Sequence, residues 1–213
     1  MVEDDGILKP FSAPIHAVAR HRVGVDGDGV STLVTFYECP LSCKYCLNPS
    51  TLGKIPNDCY MTPRELYDKV EIDDLYFRVT GGGVTFGGGE PCLRSHFIRK
   101  FSRLCNGKWK LRVETSLNVP LRNIKDLIFY VDLFIVDVKT CDESIYKRYT
   151  GRDNKQVVEN LEFLSKCGFF DKVCIRLPLI EGYVDEETRR KSMEYLQSMG
   201  FERFDLFTYK TRR

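Results

Sequence analysis

The chain has 213 residues, of which 43% are hydrophobic and 12% aromatic, enough to bury the core of one globular domain. Lys and Arg total 32 against 30 for Asp and Glu, so the net charge is only +2 and no strongly basic field would attract nucleic acid or a membrane surface. No apolar run approaches the length of a membrane span, and the first residues carry acids where a signal peptide has basic residues. We therefore expect a cytoplasmic protein.

Short apolar runs rich in β-branched and aromatic residues recur along the chain, and helical patterns separate them. Residues 1–30 are expected to form a lead-in segment that ends in a glycine-broken turn at 25–29, and residues 31–213 to form a single domain. Six strands are predicted, at 33–36, 84–86, 111–113, 133–138, 173–177 and 204–207.

Helix starts fall in the gaps between these runs. The clearest is Thr62, because a capping hydroxyl is followed by Pro63 at the first helical position and by Glu65 at the third. Further starts are predicted at Ser95, Asp142, Asn154 and Asp185. Alternating strands and helices predict a parallel sheet with right-handed crossovers, and six units are too few for the eight of a closed barrel. The expected fold class is therefore α/β, an open partial (β/α)6 barrel.

Chemically versatile residues follow one another at the carboxyl ends of the predicted strands, where barrel-type folds build active sites. The positions are Cys39, Gly88, Gly89, Glu90, Glu114, Asp137, Lys139 and Arg176. Surface ion pairs could by chance place one or two charged residues at this rim. Successive strands that each deliver polar groups to it favour a functional site instead.

The loop after the first predicted strand carries Cys39, Cys43 and Cys46 in the spacing C-x3-C-x2-C. Three thiolates in this spacing can converge on an iron–sulfur cubane and leave one iron open to an outside molecule. The alternatives are a structural zinc site, with Cys59 as the fourth ligand, and a set of buried free thiols. The remaining cysteines show no ligand spacing and are interpreted as packing residues. They are Cys59, Cys92, Cys105, Cys141, Cys167 and Cys174.

The pattern C-x3-C-x-aromatic-C, with Tyr45 at the aromatic position, is the signature of radical S-adenosylmethionine (SAM) enzymes, and the chain resembles that family. The Gly-Gly-Gly-Glu-Pro run at 87–91 is similar to a second family element, which binds the amino group of the methionine moiety. Glycines let the backbone approach a ligand, and Glu90 offers an acceptor for an ammonium. Taken alone, such a run is equally typical of a structural turn.

Further stretches resemble the activating enzymes of glycyl radical enzymes, the group of the pyruvate formate-lyase type. The turn at 25–29 is similar to that group's Val-Asp-Gly-Pro-Gly turn, and 135–139 resembles the end of one of its strands. The chain departs from the group at Leu47 and Lys210, where histidine is common.

The resemblance to this group also implies residue roles. Glu114, Thr115 and Asp137 would lie near the methionine carboxylate, where the group binds a monovalent cation, and Lys139 and Arg176 would surround the cofactor. For Asp137 and Lys139 the alternative is an ordinary exposed ion pair on one face of a strand.

The function implied is reductive cleavage of SAM to a 5′-deoxyadenosyl radical, with a [4Fe-4S] cluster held by Cys39, Cys43 and Cys46. The hydrogen donor would be a glycine in a separate glycyl radical enzyme, and flavodoxin or ferredoxin would donate the electron. Nucleic acid and membranes are not expected as partners. The alternatives are a radical SAM peptide maturase, a small-molecule enzyme similar to 7-carboxy-7-deazaguanine synthase, and a non-enzymatic iron–sulfur protein.

Overall fold

Strands alternate with helices through the part of the chain that the computed structural model describes, residues 11–209. The strands are β1 (Ala13–Val23), β2 (Val30–Phe36), β3 (Tyr60–Met61), β4 (Gly83–Gly88), β5 (Lys110–Thr115), β6 (Leu133–Asp137), β7 (Val173–Leu179) and β8 (Phe204–Thr208). The helices are α1 (Pro63–Val70), α2 (Asp74–Thr80), α3 (Ser95–Cys105), α4 (Leu121–Leu127), α5 (Glu143–Thr150), α6 (Lys155–Lys166) and α7 (Glu186–Ser198).

The strands form one sheet in the order β3-β1-β2-β4-β5-β6-β7-β8. From β2 to β8 all neighbours run parallel, and at least one helix crosses over between each pair. Within residues 11–209, β8 pairs with β7 alone and β3 with β1 alone, so the sheet does not close. These observations confirm the predicted open partial barrel and its six parallel strands.

The described part of the predicted lead-in segment contains β1, a strand of 11 residues that pairs antiparallel with β2. The sequence does not predict this strand, because irregularities interrupt its two-residue alternation. The register shifts twice along β1, and His21 has a left-handed φ of 58°. The domain boundary at residue 30 stays a prediction. Residues 1–10 and 210–213 lie outside the described residues.

Local capping signals account for the starts of several helices. The Thr62 hydroxyl accepts from the Glu65 N–H at 3.2 Å while the Glu65 carboxylate accepts from the Thr62 N–H at 2.7 Å, so the predicted capping box begins α1. The side chains of Asp142 and Asp185 cap α5 and α7. The sequence does not predict α2 and α4, which begin without a side-chain cap. None of the helices in the described range is both long and apolar enough to cross a membrane.

Alternation along the strands separates an apolar face of the sheet from a polar one. Val84 and Phe86 on β4 are buried in the hydrophobic core, as are Leu111 and Val113 on β5. Successive strand side chains point to opposite faces, so the residues that alternate with these four face the other side. They are Thr85, Arg112 and Glu114. This polar face leads to the strand ends that carry the predicted site residues.

A buried carboxylate ties β1 and β2 to the start of α2. Asp73 is fully buried and accepts from Arg20 Nη2 at 2.6 Å, from Arg20 Nε at 2.8 Å and from the Thr32 hydroxyl at 3.2 Å. These bonds, those from Arg20 first of all, outweigh burial and lower the pKa of Asp73. Its contribution to stability is therefore complete above the ordinary carboxyl range and is lost as the pH falls through the lowered pKa.

Asp73→Ala should lower the free energy of unfolding at pH 7 by about 3 kcal/mol, because the change leaves Arg20 and the Thr32 hydroxyl without their partner. Urea denaturation measures the loss, which should shrink at acidic pH. The control is Asp68→Ala, which removes an exposed pair with Arg64 and should cost less than about 0.5 kcal/mol. Equal losses in the two variants would contradict the role assigned to Asp73.

Candidate active site

The loop that carries the cysteine motif leaves β2 and packs against the end of α5. The Ser42 N–H donates to Thr150 O at 2.9 Å, and the Lys44 N–H donates to Tyr149 O at 3.1 Å. Leu41 is buried in the hydrophobic core and anchors the same loop. Tertiary contacts thus hold this loop in place, although no helix or strand forms between the three cysteines.

One cavity of about 160 Å³ lies at the carboxyl ends of the parallel strands, and the three motif cysteines line it. All other residues predicted for the site line the cavity as well, except Tyr45. Tyr45 lies outside that lining, and its ring contacts those of Tyr149 and Tyr183 at centroid distances of 6.2 and 6.1 Å. Five further lining residues are not predicted from the sequence. They are Leu41, Leu47, Asn48, Ser116 and Tyr209.

The thiols of Cys39 and Cys43 lie in surroundings that oppose their ionisation. Burial raises the pKa of Cys39 to about 12, and the nearby Glu90 carboxylate adds to the rise. Burial also raises the pKa of Cys43, against the opposing effect of Lys139. Thiolates in this cavity therefore need a strongly positive partner, which the irons of a cluster would provide.

The zinc alternative requires Cys59 as a fourth ligand, and the structure does not bring Cys59 to the three motif cysteines. Within residues 11–209, no three His, Cys, Asp or Glu side chains have the mutual spacing of ligands to one metal ion. Cys59, the fourth ligand of the zinc alternative, does not line the cavity, and its S–H donates to Pro56 O at 3.0 Å. A cubane of four irons is larger than one ion, so its ligands stand farther apart.

The glycine run ends β4 beside the cysteine loop, and side chains larger than hydrogen would not fit there. Gly88 has a φ of 89°, and a Cβ on it would lie 2.4 Å from Thr35 Cβ. A Cβ on Gly89 would lie 2.1 Å from Glu38 O. The Gly89 N–H donates to Phe36 O at 3.0 Å, so the backbone pairing of β2 and β4 continues into the two loops.

Glu90 is 1% exposed, and protein donors occupy both oxygens of its carboxylate. The Thr115 hydroxyl donates to Oε1 at 2.6 Å, and Cys92 N–H donates to it at 3.1 Å. Ser116 donates to Oε2 through its hydroxyl at 2.7 Å and its N–H at 2.9 Å. Glu90 and Thr115 thus join the glycine run to the end of β5. The direct contact of Glu90 with an ammonium stays a prediction.

Asp137 ends β6, and Lys139 follows it on the cavity wall. Lys139 Nζ donates to Asp137 Oδ2 at 2.8 Å, while Asp137 Oδ1 is buried and has no hydrogen-bond partner among the described residues. The Lys139 side chain is only 7% exposed, so this is not the exposed surface pair considered as the alternative. Burial alone would lower the pKa of Lys139, but the charge and the hydrogen bond of Asp137, together with the nearby Tyr209 and Cys43, outweigh burial, so the pKa is raised. The ammonium is therefore charged at neutral pH.

Tyr209 lines the cavity although the sequence does not predict it as a site residue. Lys139 Nζ lies 5.6 Å from the centroid of its ring. Tyr209 follows the last strand directly, as other site residues follow theirs, but its uncharged aromatic side chain gives no further signal of a site. Lys210, the departure from the family pattern at this point, lies outside the described residues.

Arg176 on β7 joins three parts of the structure. Its Nη1 donates to Glu114 Oε1 at 2.8 Å, its Nε to Asp205 Oδ2 at 3.2 Å, and its Nη2 to Val25 O at 3.2 Å. Burial raises the pKa of Glu114, and Arg176 opposes that rise. The bond to Val25 attaches the turn at 25–29 to a residue of the cavity wall.

Gly89→Ala should lower the free energy of unfolding by about 2 kcal/mol, because the new methyl group would collide with Glu38 O unless the two loops separate. Urea denaturation of the cofactor-free protein measures the change. Gly53→Ala is the matched control: its Cβ would lie 3.5 Å from Ser50 O, an ordinary contact, and the cost should be less than about 0.5 kcal/mol. A Gly89→Ala protein as stable as the control would contradict the close approach of the loops.

Sequence comparisons agree with the geometry of the cavity. Residues 33–196 match the model of the radical SAM superfamily. The chain is 31% identical over 199 residues to the pyruvate formate-lyase-activating enzyme of Clostridium pasteurianum, with 92% of this chain and 82% of the relative covered. It is 32% identical over 222 residues to the (2S)-3-sulfopropanediol dehydratase activating enzyme of Klebsiella oxytoca, with 76% and 69% covered.

Solved structures share the fold. Streptococcus suis SuiB bound to S-adenosylmethionine superposes with a TM-score of 0.64 at 15% identity, and the match covers 84% of this chain but only 40% of the SuiB chain. QueE from Escherichia coli superposes with a TM-score of 0.51 at 15% identity, with 94% of this chain and 95% of QueE covered. The sequence matches show that the chain belongs to the radical SAM superfamily and, within it, to the activating enzymes of glycyl radical enzymes.

Proposed function

We propose that this protein activates a partner enzyme by removing hydrogen from one of its glycine Cα atoms after reductive cleavage of SAM. The observation that carries the proposal is the convergence of three half-buried thiols, the glycine run and the charged ends of β5, β6 and β7 on one cavity. Relatives that are 31% and 32% identical are named activating enzymes, which supports the same function.

Cys39, Cys43 and Cys46 would hold a [4Fe-4S] cluster, since three thiolate ligands leave one iron open to SAM. When bound, the cluster supplies the electron that cleaves the sulfonium into methionine and a 5′-deoxyadenosyl radical. Gly88 and Gly89 line the cavity, and the absence of side chains on them would let the backbone approach the amino group of SAM. The enclosing walls would keep water from the radical.

Lys139 and Asp137 would orient the methionine moiety. The charged Lys139 ammonium is a partner for its carboxylate, and burial strengthens that attraction. Asp137 Oδ1 has no hydrogen-bond partner among the described residues and can accept from a donor or bind a cation. Glu114 is a second carboxylate on the cavity wall, so a monovalent cation remains a candidate ligand here.

A protein is the favoured hydrogen donor, because the relatives named above activate other enzymes. SuiB and QueE share only the fold with this chain, at 15% identity, so they do not favour peptide maturation or small-molecule chemistry over activation. A one-electron carrier such as flavodoxin or ferredoxin would reduce the cluster.

Anaerobically reconstituted protein should bind iron and sulfide and, with dithionite and SAM, form 5′-deoxyadenosine. Cys43→Ala should abolish this reaction, because the cluster loses one of its three protein ligands. Cys167→Ala changes an exposed cysteine outside the motif and should react like the wild type. Wild-type protein that binds only zinc would refute the proposal.

Addition of the glycyl radical enzyme encoded nearest to this gene should produce a persistent glycine-centred doublet in the electron paramagnetic resonance spectrum. The doublet should be absent when the radical-bearing glycine of the partner is replaced by alanine. If 5′-deoxyadenosine forms with a crosslinked peptide or an altered small molecule and without the doublet, activation is rejected while SAM cleavage stands.

A further inference from the structure

Glu38, the residue immediately before Cys39, has a left-handed backbone with a φ of 72°. This conformation is disfavoured for any residue that carries a Cβ, so the surroundings of Glu38 have to stabilise it. Glu38 does not line the cavity and therefore offers no direct contact to a ligand there. Glu38 instead contacts other parts of the protein, through its backbone and its side chain.

The backbone of Glu38 is hydrogen-bonded through both of its polar groups. Its N–H donates to Thr51 O at 2.9 Å, and its carbonyl oxygen accepts from the Glu90 N–H at 2.8 Å. The second bond links the residue before Cys39 to the residue after Gly89. The left-handed turn thus affects both where Cys39 enters the cavity and how far the glycine run lies from it.

A side-chain ion pair joins the same two loops a second time. The Glu38 carboxylate pairs with the Arg94 guanidinium, which belongs to the 3-10 turn Pro91–Arg94 directly behind the glycine run. The Arg94 side chain is 26% exposed and the Glu38 side chain 51%, so water reaches the pair mainly at Glu38 and screens it less than a pair that is exposed at both residues. Neither residue lines the cavity, and the pair lies outside it.

We propose that Glu38 is a positioning residue: its left-handed turn and its pair with Arg94 hold the cysteine loop and the glycine run at the spacing that SAM requires. The proposal rests on the function proposed for the cavity. Without the pair, the backbone of Glu38 relaxes toward an extended conformation and the Glu90 N–H loses its acceptor. The three cysteines share one loop and still bind iron, whereas the glycine run shifts relative to them.

The test compares Glu38→Gln and Arg94→Gln with the control Arg99→Gln. The control breaks the ion pair of Arg99 with Asp126, and the side chain of Arg99 is about as exposed as that of Arg94. In cofactor-free protein, hydrogen exchange at the Glu90 amide should be about tenfold faster in the two test variants and unchanged in the control. This measurement needs neither cluster nor SAM.

In reconstituted protein, both test variants should keep the iron and sulfide content of the wild type. Their KM for SAM in dithionite-driven cleavage should rise about tenfold, with a smaller change in kcat. The charge-swapped double variant Glu38→Arg with Arg94→Glu should restore the exchange rate and the KM. Glu38→Gly can adopt the left-handed turn without strain, so it should show a smaller increase than Glu38→Gln.

Wild-type exchange at Glu90 and a wild-type KM in Arg94→Gln would overturn the proposal. So would loss of iron from Arg94→Gln, because the pair would then maintain the cluster loop itself and not the spacing between loops. If the wild-type protein does not cleave SAM, the proposed function fails, and the exchange experiment still decides whether the pair holds the two loops together.

Discussion

The backbone pairing of β2 with β4 is the constraint on which the site depends. The two strands run parallel from Ser31 opposite Gly83 to Phe36 opposite Gly88, and both loops begin where that pairing ends. Because parallel neighbours have their carboxyl ends at the same edge, the cysteine loop and the glycine run have to emerge side by side. β5, β6 and β7 extend the edge, and each contributes polar side chains to the same cavity.

Charges around the cavity are compensated within the protein. Lys139 pairs with Asp137, Arg176 pairs with Glu114, and Glu90 accepts hydrogen bonds from neutral donors at the end of β5. An uncompensated charge in this position would cost on the order of several kcal/mol, so these pairs let a polar wall exist inside the fold. Asp137 Oδ1 has no hydrogen-bond partner within residues 11–209. The charged pairs thus stabilise the cavity wall without a ligand, and Asp137 Oδ1 is available to bind one.

Features encoded within a few residues could be predicted from the sequence, among them the cysteine spacing and the capping box at the start of α1. Features that depend on distant partners could not. The sequence marks Glu90 as an acceptor, but its donors Thr115 and Ser116 lie 25 and 26 residues further along the chain, on the next strand and just beyond it. Tyr209 escapes prediction because an uncharged aromatic after a strand is as typical of a core as of a site.

β1 has a largely unpaired outer edge, since only its first residues pair with β3 in the described part of the chain. Free backbone N–H and C=O groups along such an edge can recruit a strand from another molecule. Two register shifts and the left-handed turn at His21 bend β1, and the buried Asp73 holds Arg20 across this region. A regular strand from another chain could not follow that bend. The same irregularity that keeps the sequence from predicting β1 therefore disfavours the pairing of this edge with a strand of another chain.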